Sequence, residues 1–177
     1  MMHQGRLART EGPSEPPPEA AIANYALPIS KLRGVPFQAR VALKVRRITT
    51  CDQLLAAAAV AEDREALARA TKIAPEILTD LVQRADMARV NGVGAVFGLM
   101  LEELGIHDVQ TLASQDAETL HEQLRGHNRR ERLARRSPTP EEVSDWVGQA
   151  RRLPTLLTYG PRPAAREQDE ASPSAAA

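Results

Sequence analysis

The sequence predicts an all-α fold built from two copies of one small helical unit. Three observations carry this. Gly34-Val35-Pro36 and Gly92-Val93-Gly94 open two stretches that align at an offset of 58 without a gap for about twenty residues. The alignment sets Leu43 on Leu101, Ile48 on Ile106 and Leu54 on Leu112, and an internal repeat of this kind decides a fold before any local propensity does. Aromatic residues make up only 3% of the chain while Ala, Leu and Arg are abundant, a composition suited to small helices on aliphatic cores rather than to sheet. Each stretch reads helix, tight Gly turn, helix, short break, helix. This is the pattern of two tandem helix-hairpin-helix units, expected to pack pseudo-symmetrically into one compact domain because a single hairpin buries too little to stand alone.

Composition shifts mark the limits. Residues 1–26 include Gly12-Pro13-Ser14-Glu15-Pro16-Pro17-Pro18-Glu19 and almost no large apolar side chains, so they cannot offset ordering entropy and are expected to form a disordered arm. Residues 160–177 have the same character and are expected to form a disordered tail. The domain between spans 27–159, with units of about 27–84 and 85–159.

Within the first unit, Ile29, Leu32 and Val35 precede the Gly34 turn at helical spacing. Phe37, Val41, Val45 and Ile48 then form an apolar stripe opposite Arg40, Lys44 and Arg47. Thr50 with Gln53 predicts a capping box for a helix from Cys51 to about Ala61. A charged helix follows over roughly Glu62–Lys72, and Pro75-Glu76 opens a longer one toward Met87, since Pro at the first helical position costs no hydrogen bond. In the second unit Val96, Leu99, Met100 and Leu104 make the stripe after Gly92, and Gly105 ends that helix. Asp108 and Asp116 are placed to cap the next two helices. Thr139-Pro140-Glu141-Glu142 combines an N-cap Thr with Glu at N3 and opens a last helix holding Val143, Trp146, Val147 and Ala150, after which Leu153, Leu156 and Leu157 close the core.

Several function classes are disfavoured. Formal net charge is zero, so attraction to a polyanion or a membrane must come from local clustering. Cys51 is the only cysteine, which rules out an internal disulfide and a cysteine-based zinc site. Met1 to Arg9 is not followed by an apolar signal core, and no apolar run is long enough to span a bilayer, so a soluble cytoplasmic protein is expected. His3, His107, His121 and His127 lack metal-like spacing, and no Ser, His and Asp set or phosphate-loop motif can be read. The expectation is a protein that is not an enzyme and carries no cofactor and no metal.

The run Leu81-Val-Gln-Arg-Ala-Asp-Met-Ala-Arg-Val-Asn-Gly-Val-Gly94, with Pro138-Thr-Pro-Glu-Glu-Val-Ser-Asp-Trp-Val147 and Leu153-Pro154, resembles the bacterial family called domain of unknown function 4332. The resemblance covers about Leu27 to Tyr159 and implies a duplicated helix-hairpin-helix, akin to the hairpins of DNA repair proteins and polymerase accessory domains. It implies a fold more firmly than a role.

The turn itself suggests chemistry. Backbone N–H groups at the start of a helix, with its dipole, can hold a phosphate oxygen, and Gly lets the backbone approach closely. Gly92, Val93 and Gly94 fit, with Asn91 able to add a side-chain contact. In the first copy Pro36 replaces the second Gly and removes one donor; hydrogen bonds to a charged partner are worth roughly 1.5–3 kcal/mol each, so Gly34 opens the weaker clamp. Two basic stretches stand beside these turns. One holds Lys31, Arg33, Arg40, Lys44, Arg46 and Arg47 and no acid; the other holds Arg125, His127, Asn128, Arg129, Arg130, Arg132, Arg135 and Arg136 with Glu131 as its only opposing charge. Glu102, Glu103, Glu118 and Glu122 are expected to lie elsewhere. The leading expectation is sequence-independent binding of DNA, or RNA, through the phosphate backbone, with a log–log salt slope of about −5 if six phosphates are met. The rival is a protein–protein adaptor on the same fold, and a small-ligand pocket between the units is a third reading.

Overall fold

The computed structural model describes residues 26–160, and the expected arm and tail fall almost wholly outside them. Among the described residues eight α-helices follow a 3₁₀ turn, Ile29–Lys31: α1 Phe37–Val45, α2 Cys51–Ala58, α3 Ala61–Thr71, α4 Pro75–Met87, α5 Gly94–Glu103, α6 Val109–Ala113, α7 Ala117–Glu131 and α8 Pro140–Arg152. Among the described residues the only β pairing is an isolated bridge between Pro28 and Thr50. No helix there is long and apolar enough to cross a membrane.

The offset of 58 read from the sequence recurs in the backbone. Gly34 and Gly92 both take left-handed angles, φ +66° and +87°. The Ile48 N–H donates to the Leu43 carbonyl at 3.0 Å, and the Ile106 N–H donates to the Leu101 carbonyl at 2.8 Å. Just before these, Arg47 and Gly105 are both left-handed, at φ 61° and 82°. Leu43, Leu101, Leu54 and Leu112 are fully buried.

Helix starts follow local chemistry. The Asp108 carboxylate accepts the Thr111 N–H at 2.7 Å, and Asp116 accepts the Thr119 N–H at 2.9 Å. Thr139 and Glu142 form a complete capping box. The expected box at Thr50 does not form. Gln53 instead accepts the Thr49 N–H at 2.9 Å, and the buried Thr50 hydroxyl has no partner; Thr49 takes the glutamine because it lies one residue further out and is exposed.

Hydrophobic burial divides into two clusters. One runs from Ile29 to Ala85 and includes Leu157; the other runs from Met87 to Ala150 around Trp146. Two expected stripes are corrected. Phe37, Val41 and Val45 are exposed, and α1 turns Ala39 and Leu43 inward instead. In α5 Val96 is exposed while Met100 and Leu101 are buried. The helices rotate so that the residues matched at the repeat offset, Leu43 and Leu101, fill the centres. Cys51 begins α2 inside the first cluster, where burial, aided by Asp52, pushes its thiol up to about 11 and leaves it a packing residue.

The junction between clusters is polar and buried. Asp86 and Arg89, near the end of α4, are 2% and 4% exposed and form an ion pair. The other Asp86 oxygen accepts the Val109 N–H at 2.9 Å, and Arg89 donates to the Pro154 carbonyl at 2.6 Å. Burial raises the Asp86 carboxyl above its ordinary value, and the Val109 N–H and Arg89 pull it back only in part. The segment after α8 then reaches both halves. The Thr158 N–H donates to the Ala59 carbonyl at 3.1 Å, Arg64 donates to the Thr158 carbonyl at 2.6 Å, and Tyr159 donates to Asp108.

Asp86→Ala should destabilise the fold by about 3–5 kcal/mol in urea unfolding, because Arg89 is left buried without its counter-charge. The double replacement Asp86→Leu with Arg89→Met should recover most of that loss; no recovery would show that the pair acts through its ties to Val109 and Pro154. A second prediction concerns the α8 cap. The Arg136 guanidinium, then the Thr139 N–H, hold Glu142 down to about 2 from an ordinary 4.5. A depressed carboxylate stabilises the fold above its unfolded value, and that contribution is lost as pH falls through the folded value. Carboxyl NMR of Glu142 should therefore titrate near 2, and the midpoint should move upward in Arg136→Ala.

Candidate functional site

The turn between α4 and α5 is held from α8. The Asn91 N–H donates to Gln149 Oε1 at 2.8 Å, and Gln149 Nε2 donates back to the Asn91 carbonyl at 3.2 Å. Asp145 fixes that amide from one turn earlier at 2.7 Å. Gly92 and Gly94 are left-handed, and a Cβ on Gly92 would lie 3.2 Å from Trp146 Nε1. Glycine at 92 therefore answers both a backbone angle and a close approach. Val93 is buried in the second cluster and anchors the loop. Asn91 and Gly92 form a tight hydrogen-bonded turn, among the described residues no carbonyl accepts the N–H of Gly92 or Gly94 at close range, and both glycines are exposed. Asn91 is engaged through its backbone.

A continuous packing path leads from this turn to the second basic stretch. Trp146 touches Gly92, the Phe97 ring lies 5.4 Å from Trp146 at 45°, and the Arg136 guanidinium lies 5.6 Å over Phe97. The arginine loop is itself fixed. Asn128, buried at the end of α7, accepts the Ala134 N–H at 2.9 Å, donates to the Ala134 carbonyl at 3.2 Å and reaches the Ser137 hydroxyl at 3.3 Å. Around it Arg125, Arg129, Arg130, Arg132 and Arg135 are exposed, and among the described residues none of them forms an ion pair. Arg136 differs, since both its terminal nitrogens donate to the Glu142 carboxylate at 2.7 Å. His127 turns away from the arginines to Glu103, at 2.5 Å.

The first turn is arranged differently. Arg84 Nη1 sits 3.3 Å from where a Gly34 Cβ would be and donates to the Arg33 carbonyl at 3.0 Å. Arg84 Nε donates to Glu102 at 2.9 Å, and Arg33 pairs with the same carboxylate. The expectation that Glu102 and Glu103 lie away from the basic stretches is thus corrected. Burial tends to raise Glu102, but the hydrogen bonds from Arg84 and Arg33 outweigh it and hold the carboxyl below its ordinary value. An anion at Gly34 would have to displace Glu102, and Pro36 supplies no N–H. Arg40 and Lys44 remain exposed on α1, with Arg40 5.4 Å over the Phe37 ring.

Sequence reasoning missed the Phe97, Trp146 and Arg136 stack, which joins three separate segments; only the aromatic scarcity of the chain could have flagged it. Where a pocket between the units was a third reading, the structure has a half-open cleft of about 510 Å³, walled by the segment around Leu27 to Arg33 on one side and by the Gly92 turn and α5 on the other, and the sequence named none of these residues as its lining. Among the described residues no group of three or more His, Cys, Asp and Glu side chains is placed to hold a metal ion.

No curated protein and no solved structure matches the chain. The model of the domain of unknown function named DUF4332 matches residues 34–153, which take in both Gly turns, the Asp86 and Arg89 pair and the α8 cap. On that match, which covers well over half its length, the chain belongs to the DUF4332 family.

Proposed function

We propose that the protein binds nucleic-acid backbone without sequence preference, as a tandem helix-hairpin-helix module whose second copy does the binding. The observation that carries this reading is the group of five exposed, unpaired arginines at the end of α7 in a chain of zero net charge. Three acids are engaged, Glu102 by Arg33 and Arg84, Glu142 by Arg136 and Asp86 by Arg89, whereas Glu118, Glu122 and Glu131, contrary to the expectation that the first two lie elsewhere, share α7 with the arginines. Arginines grouped in this way concentrate positive potential locally.

The Gly92–Gly94 amides would take one phosphate while the arginines follow the strand; Arg40 and Lys44 would be the lesser contact. No helix presents the paired Asn, Gln or Arg needed to read base edges. A cytoplasmic setting, where such a polyanion is at hand, belongs to the same reading.

A protein-adaptor reading has its own observation. Phe37, Val41 and Val45 are exposed at i, i+4 and i+8 on α1, with Val45 80% exposed, which is an unpartnered apolar stripe.

Gel mobility of a labelled duplex at two salt concentrations separates the two. Micromolar retention should fade steeply as salt rises. Arg129→Glu with Arg132→Glu should weaken it at least tenfold and lower the log–log slope by about 2, roughly one per lost phosphate contact. Absence of retention at low salt would discard the nucleic-acid reading and leave the adaptor.

A further inference from the structure

The cleft between the first segment and α5 has features that backbone binding does not use. Its volume of about 510 Å³ falls inside the roughly 300–1,000 Å³ range of small-molecule sites. Leu27, Leu32, Val90 and Ile106 give it apolar walls. Lys31, Arg33 and Arg84 bring three cations to it, and Glu102 is the one acidic residue lining it. Arg33 and Arg84 share that carboxylate, while the Lys31 ammonium forms no ion pair among the described residues. The cleft therefore carries net positive charge beside apolar surface, and the Gly92–Gly94 amides form part of its rim.

Gly98 supplies an independent observation. It lies in the middle of α5 and lines the cleft. Glycine inside a helix costs about 1 kcal/mol relative to alanine. Yet Gly98 has ordinary helical angles, and a Cβ there would meet only Val93 Cγ1 at 3.8 Å, an ordinary contact. Neither backbone angle nor packing explains a glycine at this position. Its missing side chain leaves the cleft open.

We propose that this cleft is a ligand site for a small amphiphilic anion, an apolar body carrying one anionic head. The body lies against Leu27, Leu32 and Ile106, over Gly98. The head meets Lys31 and the outer edge of the Arg33 and Arg84 pair, where the guanidiniums keep donors beyond those given to Glu102. The site is separate from the α7 arginines and stands whether or not nucleic acid binds there.

Isothermal titration of the full chain with decanoate, decanol and inorganic phosphate tests the assignment. Decanoate should saturate one site, decanol should bind at least tenfold more weakly, and phosphate alone should give no heat. Gly98→Leu should fill the cleft and reduce decanoate affinity at least tenfold without lowering the Tm. Ala95→Leu, at an exposed position on the same wall, is the second filling variant and decides the question if Gly98→Leu fails to fold. Lys31→Ala should weaken decanoate several-fold. Arg129→Glu with Arg132→Glu should leave decanoate binding intact, so failure here and failure of the nucleic-acid reading are distinguishable. Equal binding of decanol and decanoate, absence of a saturable site, or wild-type affinity in a folded cleft-filling variant would overturn the proposal. So would loss of duplex retention together with decanoate binding in Gly98→Leu, because the cleft would then be part of the polyanion path.

Discussion

The buried Asp86 and Arg89 pair is the constraint on which the arrangement of this molecule rests. It sits where the two hydrophobic clusters meet, and each member makes a second bond to backbone distant in sequence. Asp86 holds the first N–H of α6, and Arg89 holds the carbonyl of Pro154 after α8. Taking two charges out of water is costly, and such a pair is weak evidence for stability as such. Its value here is positional. A pair of apolar residues could fill the same space, but it would not select one carbonyl and one amide across the junction. With α4, α6 and the chain end fixed together, Leu157 can cross back into the first cluster and Tyr159 can reach Asp108.

The same helix sets the contrast between the two Gly turns. Arg84, one residue before Ala85 and on the partly exposed side of α4, crosses to the first turn and gathers Glu102 from α5. This single side chain occupies the space over Gly34 and neutralises the acid nearest the cleft. The second turn has no such occupant. Trp146 backs it and Gln149 fixes its first peptide, and Gly92 and Gly94 stay exposed. Two turns of similar sequence are thereby differentiated by their neighbours as well as by Pro36 standing against Gly94.

This explains what could and could not be read from the chain. Helix order, the caps at Asp108, Asp116 and Thr139, and burial of Leu43, Leu54, Leu101 and Leu112 follow from local pattern and from the repeat. The facing of α1 did not, because Phe37, Val41 and Val45 have the spacing of a core stripe and nothing local reveals that, among the described residues, no helix covers them. The Gln53 bond slipped by one residue for a similar reason, since a glutamine can reach Thr49 or Thr50 with equal ease and tertiary burial decides. Arg84, Asp86 and Arg89 were visible as a pattern but not as a junction. Their partners, Arg33, Glu102, Val109 and Pro154, lie 18 to 65 residues away from them in the chain. The arginine stretch was visible as composition, whereas its lack of counter-charges depended on where each glutamate went.

Electrostatics then separates two surfaces that share one loop. Around α7 the cations are exposed arginines, an arrangement suited to an extended polyanion whose charge is spread over many phosphates. In the cleft the cations are few, partly engaged and set against aliphatic surface, an arrangement suited to a compact ligand whose charge sits at one end. A polyanion would gain little from Leu27 or Ile106, and an alkyl chain would gain little from Arg129. Gly98 sits on the side of this division where a missing side chain matters. A bare helix surface serves a ligand that must lie flat against it, and offers nothing to the arginines of α7, two helices on in the chain order.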